Sequence, residues 1–151
     1  MRAPPREACI PLGTPAFTLP SVDAISEIHL YVGWSVPIGF GVLTLWSLWI
    51  LLRNRVPHDW YWSLLGILQV VVGIQFIVGA VLFLSGRRPA FEGTTWLHYV
   101  YGAFFPAALL FFAHRAAKGR FSEVPFVPFG IAALLCCALT VRALITGLEG
   151  M

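Results

Sequence analysis

The chain reads as an all-α integral membrane protein, an up-down-up-down four-helix bundle built from two αα repeats, and three observations carry that reading. Of 151 residues, 58% are hydrophobic and 11% charged, with a mean hydropathy of +0.80, a composition foreign to ordinary soluble domains of this size. The apolar residues fall in four long uncharged runs, each able to cross a hydrocarbon layer of about 30 Å as a helix. Within each run the hydrophobicity is continuous and not alternating, which excludes a membrane β-barrel. One domain is expected, with an extended segment over 1–27 and spans at 28–52, 60–86, 94–114 and 124–148.

The first segment holds Pro4, Pro5, Pro11, Pro15 and Pro20 and no continuous apolar core, so it reads as extended chain and not as a cleavable signal. Asp23 and Glu27 precede the first span, where acidic groups suit a helix N-terminus. That span ends at Arg53-Asn54-Arg55, and Pro57-His58-Asp59 makes a turn so short that spans one and two must be antiparallel neighbours. Trp60 and Trp62 then mark the membrane interface. Span two stops at Ser85-Gly86-Arg87-Arg88-Pro89, a glycine terminator followed by a proline. Trp96 and Tyr99 mark the start of span three, which ends near His114-Arg115 with Gly119 as a stop, and Pro125 and Pro128 begin span four.

Charge reports topology and not nucleic-acid binding, because the net +3 comes from loop residues and not from a basic face with interleaved aromatics. Arg53, Arg55, Arg115, Lys118 and Arg120 outnumber Arg87, Arg88 and Arg142 on the opposite side. Basic residues favour the cytoplasmic face, so both chain ends are expected outside a plasma membrane. Cys136 and Cys137 are adjacent in the last span and read as small core or lipid-facing residues, while Cys9 lies alone in the leader. Without a Cys-x-x-Cys-His motif, covalent c-type haem is excluded.

Chemistry concentrates in one repeated frame. His29-Leu-Tyr-Val-Gly33-Trp-Ser-Val-Pro37 and His98-Tyr-Val-Tyr-Gly102-Ala-Phe-Phe-Pro106 both read His-x-x-x-Gly-x-x-x-Pro at the mouth of a span. A histidine in a membrane helix faces a bundle interior or the interface, and two in one frame suggest a shared ligand. Each glycine lies one turn below its histidine, which leaves room for a flat cofactor. Spans one and three run parallel and sit diagonally in such a bundle, so His29 and His98 can ligate one b-type haem from both sides. Gly33 and Gly102 then lie nearest the macrocycle, and Arg87 and Arg88 emerge at the same face to pair with the propionates. His114, sixteen residues after His98, falls about 24 Å away on nearly the opposite side of a regular helix. It and His58 read as solvated residues of the other face. Zinc would need three or four close ligands, and only Glu27 and Asp23 stand near the pair.

In span two, Gly66, Gly73 and Ala80 recur every seven residues, a stripe of small residues best explained by close helix packing or else by a planar ligand lying along it. Gln69 and Gln75 are expected to hydrogen-bond between helices.

The order Glu27 and His29, then Leu68-Gln69-Val70-Val71-Val72-Gly73, then Leu97-His98, resembles one four-helix half of haem A synthase over about residues 27–113. That resemblance implies b-type haem between histidines of the first and third helices. In that family the carboxylate stands three residues before the histidine and an arginine follows it, whereas here Glu27 stands two before and Leu30 follows. Gly86 to Pro89, Leu97 to Gly102 and Arg142 to Gly147 also resemble a group of small bacterial four-helix membrane proteins, which implies a family but no activity.

The leading expectation is a cytochrome b-like membrane protein that holds haem b for electron transfer or haem handling. The alternative is a cofactor-free hydrophobic subunit or assembly factor of a respiratory or other membrane complex, with the lipid bilayer and partner subunits as its contacts. An enzyme acting on haem, with Glu27 as its base, is the third.

Overall fold

The computed structural model describes residues 21–86, 88 and 95–148, and all regular structure among them is helical. Helix α1 runs Val22–Leu52 and α2 Asp59–Leu84; the third span is α3 (Thr95–Tyr99), a π-helical turn (Val100–Phe104) and α4 (Phe105–Lys118); α5 is Phe126–Leu148. Four stretches are long and apolar enough to cross a membrane: Asp23–Leu52, Asp59–Leu84, Trp96–Lys118 and Phe126–Leu148. The expected leader over 1–27 lies outside the described residues as far as residue 20.

Residues 22–27 are helical, six residues ahead of the expected start. Ser21 explains this, since its side chain accepts the Ala24 backbone N–H at 3.3 Å and caps the helix. Asp23 therefore sits in the first turn, where its charge suits the helix dipole. His58 caps α2 in the same manner, accepting from Trp60 N–H at 3.4 Å. At the far end of α2, Gly86 takes a φ of +82°, a conformation that a side chain would strain.

Going round the bundle, α2 packs on α1, α1 on α5, and α5 on the third span. Thus α1 and the third span are diagonal. Helix α5 packs most widely because its buried face is small, with Gly130, Ala132, Ala133, Cys136, Thr140, Ala143 and Thr146. Small residues let membrane helices approach closely. At Gly130 the approach to α1 is so tight that a Cβ would lie 2.6 Å from Ser47 Cβ, and at Gly39 a Cβ would overlap Leu68 of α2. The fourth side is different, because α2 meets the third span chiefly at the π-helical turn.

Below the histidines the core is apolar and aromatic, with Phe40, Leu43, Ile50, Tyr61 and Cys136 fully buried. The Tyr61 hydroxyl is shared between Ser47 Oγ at 2.9 Å and the Phe126 carbonyl at 3.3 Å, which ties α2, α1 and α5 at one point. Trp46 and Trp62 meet the Tyr61 ring edge to face.

The two prolines of the repeated frame act differently. Each lacks the N–H that would bond the carbonyl four residues earlier, Gly33 for Pro37 and Gly102 for Pro106. Helix α1 stays regular through Pro37. The third span instead widens, with Phe105 N–H bonding Val100 O five residues back, a local way to relieve a proline clash. The adjacent thiols of α5 reach both sites: Cys137 donates to Pro37 O at 3.3 Å, and Cys136 lies 3.9 Å from Pro106 O.

Candidate functional site

His29 stands two turns into α1 and His98 one turn into the third span, at the end of the bundle where α1 begins and α5 finishes. Although these helices are diagonal, the two imidazoles come together across the axis. Their ring centroids are 6.5 Å apart, with the planes inclined at 62°. Two imidazole–metal bonds of about 2 Å, together with the half-widths of the rings, add up to roughly 6 Å. The centroid separation is thus close to what two imidazoles bound to one metal ion would require.

Each ring is held by a different helix. His98 Nδ1 lies 2.9 Å from the Ala143 carbonyl of α5, and a carbonyl only accepts, so Nδ1 carries a proton and Nε2 is the nitrogen left for a ligand. A ligating histidine is ordinarily fixed in this way, by giving its other N–H to a backbone oxygen. One turn further along α5, Gly147 backs the same ring so closely that a Cβ would sit 3.1 Å from Cε1 and 3.2 Å from Nδ1. His29 is held through its backbone, where Gln75 Nε2 of α2 donates to the His29 carbonyl at 2.9 Å. A Cβ on Gly79 of α2 would lie 3.5 Å from His29 Cε1. His29 Nδ1 is buried without a hydrogen-bond partner among the described residues. An unpaired buried nitrogen is costly, and a metal or a ligand donor would satisfy it.

Gly33 and Gly102 stand one turn from their histidines but face neighbouring helices. A Cβ on Gly33 would meet Gln75 and Leu144 at 3.4 Å, and one on Gly102 would meet Ala143 at 3.5 Å. Arg88 lies at the histidine end, its guanidinium 3.9 Å above the Phe83 ring. Phe83 contacts Tyr99, and Tyr99 contacts His98. Arg87 lies outside the described residues. Glu27 and Tyr31 are exposed, and Tyr101 stacks on Phe105.

Sequence reading missed Gly79 and Gly147, although the repeat held a signal for them. Gly79 follows His29 by fifty residues and Gly147 follows His98 by forty-nine. Extending the two-helix repeat into its second helices pairs each histidine with a glycine of its own unit. Of the two glutamines, Gln75 bonds between helices; Gln69 has no hydrogen-bond partner among the described residues. The Gly66 and Gly73 stripe does not serve contact within the chain, because a Cβ at either would meet nothing within 4 Å.

The remaining histidines lie elsewhere. His58 caps α2, and His114 packs edge to face on Phe129 of α5 at 4.8 Å, with Nδ1 donating to Leu110 O at 2.8 Å. Among the described residues no group of three or more His, Cys, Asp or Glu side chains converges, which leaves the facing imidazoles as a two-ligand arrangement. No family model, curated protein or solved structure matches this chain.

Proposed function

We propose that the protein is a cytochrome b-like membrane protein that binds one b-type haem between His29 and His98 and serves electron transfer or haem handling. The observation that carries this is the opposed imidazole pair at 6.5 Å, with one ring oriented by a backbone carbonyl. Such a group, when bound, supplies reversible one-electron redox chemistry, tuned by its axial ligands and the polarity around it. Helix α5 fixes the His98 tautomer through Ala143 and seats the ring on Gly147. Helix α2 holds the His29 backbone through Gln75 and leaves space beside its ring at Gly79. Apolar side chains beneath the pair exclude water. Arg88, at the same end of the bundle, supplies a cation for a propionate.

A second reading has one observation in its favour. The side of the bundle between α2 and α4 is unclosed and presents Gly66 and Gly73 to empty space, as a subunit or assembly factor of a membrane complex would present a face to its partner.

An absorption spectrum separates the two. Protein purified from cells supplied with haem is expected to show a Soret band that His29→Ala and His98→Ala abolish and His114→Ala retains. A wild-type chain without a Soret band, even after titration with haem, would favour the subunit. Equal loss in all three variants would refute the ligand assignment.

A further inference from the structure

The unclosed side of the bundle ends in a groove at the face away from the His29–His98 pair. It has a volume of about 390 Å³ and is lined among others by Trp62, Gly66 and Gln69 of α2, His114 and Lys118 of α4, and Phe129 of α5. That size falls in the range of small-molecule sites. Its chemistry is mixed in a particular way. His114 Nδ1 is committed to Leu110 O, so the neutral ring offers the Nε2 lone pair as an acceptor. Gln69 brings an amide that both donates and accepts, with no partner among the described residues, and Lys118, one turn from His114, brings donors alone.

Depth decides between ligands. Gln69 lies seven residues past the interfacial Trp62, about 10 Å further into the bilayer. Phospholipid headgroups stay at the interface, so a lipid in this groove would lay acyl chain against the Gln69 amide and leave it unsatisfied at considerable cost. The matching ligand is amphipathic and carries polar atoms on a flat ring that enters below the headgroups, within reach of the Gln69 amide. From the groove, Gly66, Gly73 and Ala80 run along α2 every seven residues; the two glycines meet nothing within 4 Å and Ala80 is exposed. They form a track of small residues about 20 Å long toward the opposite face, along which a hydrocarbon tail could lie.

We propose that this groove binds the headgroup of a prenylated quinone, with Gln69, His114 and Lys118 on its oxygens and its tail along the Gly66–Gly73–Ala80 track. Carbonyl oxygens of the oxidised ring accept from the Gln69 amide and Lys118, and hydroxyls of the reduced ring donate to His114 Nε2 and the Gln69 carbonyl. The site does not depend on whether haem is bound at the other end.

The test is a titration of the full chain in detergent with decylubiquinone, with bound quinone measured after gel filtration, for wild type, Gln69→Leu and Gly66→Leu. Leucine at 69 keeps bulk and removes the amide. Leucine at 66 fills the groove where a Cβ meets nothing, so the bundle tolerates it, and thermal unfolding of each variant verifies that. Saturable binding near one per chain, weakened at least tenfold by both substitutions, is the expected result. Absence of saturable binding overturns the proposal, as does a change under twofold in either variant. So does complete displacement by phosphatidylglycerol that itself binds with the same sensitivity to the two substitutions, which would make the groove a lipid headgroup site.

Discussion

Replacing Gly147 with alanine is expected to weaken haem binding about tenfold without loosening the bundle. The new Cβ would lie 3.1 Å from His98 Cε1 and 3.2 Å from Nδ1, whereas packed carbons settle at about 3.5–4.0 Å. The ring must therefore retreat by roughly half an ångström. Its hydrogen bond to Ala143 O, now 2.9 Å, tolerates only about 0.3 Å before it leaves the usual range. Losing a partner that orients a ligating histidine costs about 10–100-fold in metal affinity, and a ring that is displaced but not removed belongs at the lower end, about 1.4 kcal/mol. Folding should change little, since Gly147 is the next-to-last residue of α5 and the advantage of alanine over glycine belongs to helix interiors. Gly79→Ala is the control, because its Cβ would stand 3.5 Å from His29 Cε1, an ordinary contact, and its affinity should change less than twofold. Haem titrations of purified protein followed at the Soret band, beside thermal unfolding of the same samples, measure both quantities. Equal affinities for Gly147→Ala and wild type would refute the reasoning. So would a loss of affinity accompanied by an equal loss of stability.

Gly33→Leu and Gly102→Leu should destabilise the bundle by about 1–3 kcal/mol even in protein prepared without haem, because both glycines face close neighbours on other helices; unchanged melting in detergent would show that these positions do not hold the helices together. Tyr61→Phe removes the hydroxyl shared by Ser47 and the Phe126 carbonyl, and the expected loss is about 0.5–1.5 kcal/mol, near the lower end for a bond inside a membrane. Unfolding midpoints compared with wild type would measure it, and a midpoint equal to or above wild type would contradict the role given to that bond.

The spans were legible because a continuous apolar run has few other uses, and their ends were legible where glycine or charge punctuates the chain. Gly86 with its positive φ and Gly119 at the close of α4 are such marks. The start of α1 was not, since Asp23 and Glu27 look like loop residues until Ser21 is seen as a cap, with Asp23 in the first turn and Glu27 in the second. The facing of His29 and His98 followed from spacing and the diagonal placement of alternate helices. What surrounds them did not, because a lone glycine in an apolar run has many possible reasons and only the fold says which ring it accommodates. The stripe at Gly66 and Gly73 shows the limit most plainly. Periodicity places small residues on one face, but whether a neighbour lies against that face depends on tertiary arrangement, and here α2 and α4 stand apart.

The widened turn at Val100–Phe104 works as a phase correction. Counted along a regular helix at about 100° per residue, His98 and His114 differ by roughly 160°, and one of the two would look into hydrocarbon. A wide turn takes up about one extra residue, which brings the angle down to roughly 60°. Both rings then meet the same neighbour, His98 at the Ala143 carbonyl and His114 at Phe129 of α5. A dislocation between them thus lets two polar groups at opposite ends of one span meet the same helix, with His98 half-buried and His114 still exposed. Deleting a single residue from Val100–Phe104 would restore a regular helix and turn one of the two imidazoles away from α5.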